Sequence, residues 1–581
     1  MTVPTPNPTS SRPDLPAFDV RDIPFSARGA WFDISPVVAL HTVHQDLHLV
    51  SHQNGMHAVF ILVPQVDGVR TQTTITASPA LLSWTAAEGK IDAAFDGVAC
   101  LRIRGRGVDL TIGDASTGLT PFTGSYLFRD PMDGAAVFTS YETGRRYRIT
   151  SVRGELDVHG AEALGAHVRD VVASGADGWE VAIEEFESAR PSYRPALSFD
   201  QVVLSTRQDF AGYLDRVAGW SDARTPTAAL AGYVMWSATV RPLGFLEHES
   251  ILMSKHWMDK VWSWDHCFNA LALAPGDPGA ALGQFRLIFD HQDSSGALPD
   301  SVTHSEILYN FVKPPIHGWA FDKLRQRMPD AIPVDVLAAV YDQLSAWTDF
   351  WLNSRRIAGH ELAHYQHGND SGWDNSSTFD RDRVIEAPDL AAFLILQLDT
   401  LARLADELGR DDGASRRGQR DSMATALLAE LWDGEHFVAR APLSGRTSST
   451  TSLLNLLTIV AADFLPMEVR GRVADSITGH LTDWGPATEL PSSPLYESDG
   501  YWRGPIWAPS TVIVEDGLRK AGFATLADTV SERFRRLCER SGFAENFDAL
   551  SGDGLRDRAY TWTASSYLLL AHEAFIRASD N

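Results

Sequence analysis

Pro388-Asp-Leu-Ala-Ala-Phe-Leu-Ile-Leu-Gln-Leu-Asp-Thr-Leu-Ala-Arg-Leu-Ala-Asp-Glu-Leu408 decides the fold class of the second half of this 581-residue chain. Leu394, Leu398, Leu401, Leu404 and Leu408 recur three and four apart, the interval that aligns side chains on one face of an α-helix. Between Leu390 and Leu398 the run is apolar on nearly every side; it is too short to cross a bilayer and reads as a buried helix. The same period marks Asp209–Trp220, Thr227–Val240, Pro278–His291, Val334–Asn353, Ala414–Trp432 and Thr451–Ala462. It continues in Pro466–Leu481, Pro505–Ala521, Ala524–Ser541 and Thr563–Arg577. Proline or glycine stands near many of their ends, as helix punctuation requires. About a dozen helices joined by short turns predict six antiparallel pairs closed into an (α/α)6 barrel. An open solenoid would show a repeating motif, and none is visible.

The first half has a different period. Asp46-Leu-His-Leu-Val50, Ala58-Val-Phe-Ile-Leu-Val63, Thr71-Gln-Thr-Thr-Ile-Thr76 and Leu101-Arg-Ile-Arg104 alternate or cluster β-branched residues. Gly, Asp and Pro interrupt them about every ten residues, the pattern of an antiparallel β-sandwich. The expected organisation is therefore a disordered tail over 1–17, a β-sandwich over 18–203, linker helices over 204–244 and the barrel over 245–581. The Pro-, Thr- and Ser-rich start has neither a basic segment nor an apolar one, so it does not read as a secretory signal.

Seventy-five acidic and 50 basic residues give a formal charge of −25. That surface repels phosphate backbones and anionic headgroups, which argues against nucleic-acid and membrane partners. Cys100, Cys267 and Cys538 are odd in number and far apart, which disfavours a disulfide framework and implies a reducing, cytoplasmic setting. With isolated cysteines, no His-Glu-x-x-His and no Gly-rich phosphate loop, no metal or organic cofactor is expected.

The segments between helices are where chemistry is expected. Five are rich in Trp, Asp, Gly and His: Lys255–His266, Asp293–Asp300, His367–Ser376, Tyr496–Trp507 and Ala544–Phe547. A sugar ring offers an apolar C–H face to an indole and a rim of hydroxyls to carboxylates, amides and arginine. Loops reading Trp-Asp or Tyr-Trp-Arg meet both demands. One such loop is equally well a packed turn; five between successive helices favour a carbohydrate site.

Three of these segments, Ser371-Gly-Trp-Asp-Asn-Ser376, Tyr501-Trp-Arg-Gly-Pro-Ile-Trp507 and Glu545-Asn-Phe547, resemble the signature segments of glycoside hydrolase family 63. The resemblance covers roughly residues 230–575, in the right order, and the first segment is shared with family 37 trehalases. It implies an anomer-inverting α-glycosidase, most simply an α-glucosidase acting on an oligosaccharide or small glucoside. It assigns Asp374 as general acid and Glu545 as general base, a pair about 6.5–9.5 Å apart with a water between. Trp373 beside the acid would limit its solvation and keep it protonated. The resemblance also places Trp264, Asp265, Phe268, Lys313, Gly372, Trp373, Tyr501, Trp502 and Trp507 at the substrate. Arg503 either reaches the ligand or braces a carboxylate.

Relatives that act on sugar–glycerate conjugates carry Pro-Trp-Glu-Ser-Gly before the acid. Here Gly368-Asn-Asp-Ser-Gly372 lacks that Trp and has Asp370 for the Glu, which implies a different aglycone pocket. Two other readings stay open: hydrolysis of glucosylglycerate, mannosylglycerate or trehalose, and a sugar isomerase or epimerase. The latter would use paired histidines among His291, His304, His317, His364 and His367.

Overall fold

The computed structural model describes residues 15–116, 125–162, 166, 168–328, 332–448 and 450–579; most of the expected 1–17 tail lies outside the described residues. Two antiparallel sheets form the N-terminal half. One runs from Phe32–Ala39 through Thr42–Ser51, His57–Val66, Asp109–Asp114 and Asp170–Ser174 to Glu155–His159. The other runs from Ser125–Arg129 through Ala136–Ser140, Arg146–Arg153, Trp179–Phe186, Cys100–Arg106, Lys90–Phe95 and Leu81–Thr85 to Thr74–Ser78. Phe60 of the first sheet meets Phe138 and Tyr147 of the second edge-on, with ring centroids 4.8 and 5.6 Å away. Alternating inward residues such as Leu47, Leu49, Leu62, Ile103, Ile149 and Val181 are fully buried between them. This is the β-sandwich.

Twelve α-helices follow among the described residues: α1 Phe199–Ala218, α2 Ala228–Ala238, α3 Asp265–Leu273, α4 Pro278–Arg286, α5 His317–Arg327 and α6 Val334–Ser354. The rest are α7 Pro388–Leu408, α8 Gly413–Leu431, α9 Met467–His480, α10 Ala508–Lys520, α11 Ala524–Ser541 and α12 Thr561–Ser579. Between α8 and α9 the chain forms a 3-10 stretch, Leu453–Phe464, interrupted at Ala461, where the Thr451–Ala462 helix was expected. Contacts close one ring: α3 to α5, α5 to α7, α7 to 453–464, that stretch to α10, α10 to α12, and α12 back to α3. The remaining helices back this ring from outside, α4 on α3, α6 and α8 on α7, α9 on 453–464, α11 on α10 and α12. The result is an (α/α)6 barrel.

Two features differ from the expectation. α2 packs on α12 as an outer-layer helix, so it does more than link the two halves, and α1 begins at Phe199, capped by a reciprocal Ser198–Gln201 pair. α3 and α5 lie where no helix was expected. All nine residues of α3 are buried, and a helix covered on every side has no polar face to give it a period.

The ring is tight where small residues allow it. A Cβ on Gly318 of α5 would lie 2.5 Å from the Cα of Gln397 in α7. Gly318→Ala is therefore expected to destabilise the fold by about 1–3 kcal/mol through overpacking. A urea unfolding midpoint equal to wild type would contradict that close approach.

Candidate active site

The segments that lead into the inner helices meet at one rim. Trp264 caps α3, Lys313 precedes α5, the 368–376 turn lies between α6 and α7, Trp507 caps α10, and Tyr560 precedes α12. Together they enclose a cleft of about 320 Å³. Trp262, Trp264, Trp502 and Trp562 form its aromatic walls, and Asp265, Asp300, Lys313, Asp374, Tyr501 and Tyr560 project polar groups into it.

Trp502 is the centre of an indole stack. Trp507 lies flat against it at 3.9 Å and 4°, and Trp373 stacks at 4.6 Å. The amide of Asn375 ties this loop to the Asp374 turn, since its Oδ1 accepts from Trp502 N at 3.0 Å and its Nδ2 donates to Gly500 O at 3.0 Å. Gly372 has φ +74°, and a Cβ there would strike the Trp264 indole at 2.5 Å. Only glycine combines that backbone with that contact.

Three carboxyl groups converge on Tyr501, which itself holds φ +62°. Its hydroxyl lies in the field of Glu545, Asp374 and Asp265 together. Burial raises all three acids. Asp265 is pushed up to about 8, with Lys313 opposing. Glu545 is likewise pushed up to about 8 by burial and by the charge of Asp557, while Arg556 and the Tyr501 hydroxyl favour its carboxylate. Asp374 rises from the ordinary aspartate value through burial, with Lys313 opposing and Asp300 reinforcing. Among the described residues neither Glu545 Oε2 nor Asp265 Oδ2 has a hydrogen-bond partner, so each keeps an acceptor for a ligand or water. Lys313 Nζ sits 2.9 Å from Asp300 Oδ1 and donates to Asn369 O at 3.0 Å.

Of the residues predicted to touch substrate, Trp264, Asp265, Lys313, Gly372, Tyr501 and Trp502 line the cleft with Asp374. Glu545 is 1% exposed and stands just behind Tyr501, Tyr560 and Trp562. Phe268, Trp373 and Trp507 do not line the cleft. Each is fully covered, Phe268 against the edge of Trp264 and the other two against Trp502, so they support the wall. Arg503 braces: it ion-pairs with Asp380 and donates from Nε to Asn375 O at 2.8 Å. Asp382 pairs with Arg446, so the two loop aspartates already have cationic partners. Asp370 does not shape an aglycone pocket; it is buried, pairs with Arg355 at 2.8 Å and accepts from Gln366 N and Val312 N. Asn369, which stands where the relatives acting on sugar–glycerate conjugates have Trp, does line the cleft, so of the two departures from the glycerate motif only that one faces the ligand. Among the described residues no histidine lines the main cleft.

Sequence reading missed Asp300, Arg556, Tyr560 and Trp562. The signal was present in Leu555-Arg-Asp-Arg-Ala-Tyr-Thr-Trp562, which has the same Tyr, Trp, Asp and Arg makeup as the quoted loops. One group among the described residues has metal-ligand atoms within 4.8 Å of one another: His266, Cys267 and His317, all buried. Burial raises the thiol and lowers both imidazoles, leaving a neutral cluster against Phe285, Phe289 and Trp347.

A family model described as the mannosylglycerate hydrolase MGH1-like glycoside hydrolase domain matches residues 258–563. The chain belongs to the MGH1-like glycoside hydrolases of family 63. The hydrolase is 25% identical over 401 residues to the mannosylglycerate hydrolase of Rubrobacter radiotolerans, spanning 53% of this chain and 89% of that one. It is 21% identical over 446 residues to the glucosylglycerate hydrolase of Mycolicibacterium hassiacum, spanning 59% and 98%. The family 63 mannosylglycerate hydrolase of Thermus thermophilus, solved with Tris and D-glycerate, shares the fold at a TM-score of 0.53 and 20% identity, over 60% of this chain and 100% of that one. Among the described residues no helix of the hydrolase is long and apolar enough to cross a membrane.

Gly372→Ala is expected to push Trp264 out of the wall and lower kcat/KM on the order of 10²-fold. Wild-type kinetics in that variant would contradict the packing described.

Proposed function

We infer that the hydrolase is an inverting α-glycosidase that releases the terminal sugar of a small α-linked conjugate, with Asp374 as general acid and Glu545 as general base. The observation that carries this reading is the convergence on Tyr501 of Asp374 and Asp265, which line a tryptophan-walled cleft, and of Glu545 directly behind its wall. The indoles take the apolar face of the sugar, and Asp265 and Lys313 bind its hydroxyls. Protonated Asp374 gives its proton to the glycosidic oxygen as the bond from C1 to the aglycone breaks. Ionised Glu545 removes a proton from the water that attacks C1 from the opposite face.

A second basin, which shares Asp374 with the cleft, is lined by His367, Arg381, Arg383 and Arg503 and by the carboxylates of Asp380 and Asp382. Arg503 is engaged by Asp380; Arg381 and Arg383 are exposed at the rim. Its three arginines are matched by Asp374, Asp380 and Asp382, so charge alone selects no aglycone. The relatives named for mannosylglycerate and glucosylglycerate support an anionic, glycerate aglycone. The preferred substrate class is thus an α-mannosyl or α-glucosyl conjugate of a small hydroxy acid such as glycerate. The isomerase reading would need histidines facing the sugar, and none lines the main cleft among the described residues.

Asp374→Asn and Glu545→Gln are each expected to lower kcat at least about 10³-fold with little change in the thermal melt. Loss of folding in both would contradict the catalytic roles. Methyl esterification of the glycerate should weaken kcat/KM far more than it changes the melt or kcat. Equal kcat/KM for the ester and the acid would remove the anionic aglycone.

The pH dependence follows from the two raised carboxyls. An acid–base pair that works with one proton is active between its two macroscopic pKa values. Glu545 holds a proton up to about pH 8, so kcat/KM is expected to be bell-shaped with its alkaline limb there. The productive form, with the proton on Asp374 and none on Glu545, is the minor tautomer of the free enzyme. A profile still climbing above that pH would contradict the assignment.

A further inference from the structure

The segment Ser254–Lys260 is one wall of the cleft, through Met258 and Lys260. The β-sandwich grips this segment at three points. Lys255 Nζ donates to Ser26 Oγ at 3.0 Å and to Ala30 O at 2.7 Å. His52 bridges Asp33 at 2.7 Å and Asp259 at 3.4 Å. His41, at the tip of the hairpin whose root carries Asp33 and His52, lies 5.1 Å from the Trp257 ring. Asp33, His52, Lys255 and His256 are all 2% exposed or less. Burial works against a charged His52, yet its hydrogen bonds to Asp259 and Asp33 prevail and raise it to about 9, while burial also raises its partner Asp33.

The other side of the same segment reaches the catalytic region. His256 Nδ1 lies 3.0 Å from Asp557 Oδ1, and the Ser254 hydroxyl donates to Oδ2. Ala559 N donates to Oδ1 at 2.9 Å. Asp557 is 0% exposed, and a buried carboxylate persists only when its oxygens are satisfied in this way. Its carbonyl accepts from Glu545 N at 2.7 Å, so the backbone of one acid fixes the other.

We propose that the β-sandwich is a working part of the active site: through Asp33 and His52 it fixes the 254–260 segment, whose Ser254 and His256 hold Asp557 as a buried anion behind Glu545, and Asp557 is a positioning residue for the general base. The inference rests on Glu545 being that base. Glu545 faces Asp557, Arg556, Tyr501 and Tyr560; Asp557 faces His256; His256 in turn lies in the field of Asp33. Arg556 and Asp557 are adjacent in the chain and act on Glu545 with opposite sign. Arg556 also lies 4.9 Å over the Tyr501 ring and adopts φ +59°. The anion restrains proton release from Glu545 and the cation promotes it, so their balance sets when the base is available.

The test is a 13C NMR titration of the full-length protein labelled at the glutamate carboxyl, with the Glu545 signal identified by its loss in Glu545→Gln. In Asp557→Asn the Glu545 midpoint is expected to fall by about one pH unit, the scale of a close charge partner. In Arg556→Gln it should rise. Generic loosening of the fold would move both variants the same way. His52→Gln, or Asp33→Asn as the milder change, should shift the midpoint in the direction of Asp557→Asn and by less, and should add nothing in the Asp557→Asn background. A Glu545 midpoint that stays at the wild-type value in the Asp33 and His52 variants overturns the role of the sandwich. One that stays there in Asp557→Asn overturns the role of the buried anion, and one that stays there in Arg556→Gln overturns the opposing role of the cation. Turnover by Glu545→Gln is measured separately. Activity there overturns the base assignment itself, whereas an inactive Glu545→Gln with unmoved midpoints overturns only this inference.

Discussion

Withdrawal of three acids from water at a single point is the constraint on which the active site depends. In bulk water Asp265, Asp374 and Glu545 would all be ionised at neutral pH and would repel one another. Behind Trp264, Trp502, Trp562 and Tyr560 the charged forms are penalised, and the group keeps a proton that solvent would remove. That retained proton is what a glycosidic oxygen needs. Lys313, which favours the carboxylates of Asp265 and Asp374, and Arg556 with the Tyr501 hydroxyl, which favour that of Glu545, then decide by their balance which acid holds it.

The barrel makes this arrangement rigid. Six inner elements converge, the leading segments of five of them share one rim, and the proposed catalytic side chains stand in the loops between helices. The cross-ties are few and specific. Asn375 joins the acid's turn to the tryptophan loop, Arg503 clamps the same turn through Asp380, and the close contact at Gly372 seats Trp264. Glu545, the proposed base, is held from a different direction, through Asp557 and the 254–260 segment. The proposed acid and base thus sit on separate supports.

Much of the architecture was legible in the chain. Alternation over Ala58–Val63 and Leu101–Arg104 marked strands that are present, and the three-four period of Pro388–Leu408 marked an inner helix. α3 escaped because burial on all sides erases the polar face that a period needs. The site was legible as a composition of loops, and the acids as members of family motifs in the right order. Which face of the indole stack meets the ligand was not: Trp373, Trp507 and Phe268 are aromatic like Trp264 and Trp502, and only the folded layering separates support from surface. The effects of Arg556 and Asp557 were invisible for a related reason, since they act through proximity to a residue ten or more positions away. Asp370 shows the converse, a change in a motif that looks specific and turns out to be a buried brace.

The account stands on a water, activated by Glu545, attacking the anomeric carbon opposite to Asp374. The direct measurement is 1H NMR of the sugar in the first moments of hydrolysis of α-mannosylglycerate or α-glucosylglycerate, before mutarotation. Appearance of the β-anomer first is the predicted result. First release of the α-anomer would mean that Glu545 or another group bonds to the sugar itself, and the acid–base division described here would be contradicted.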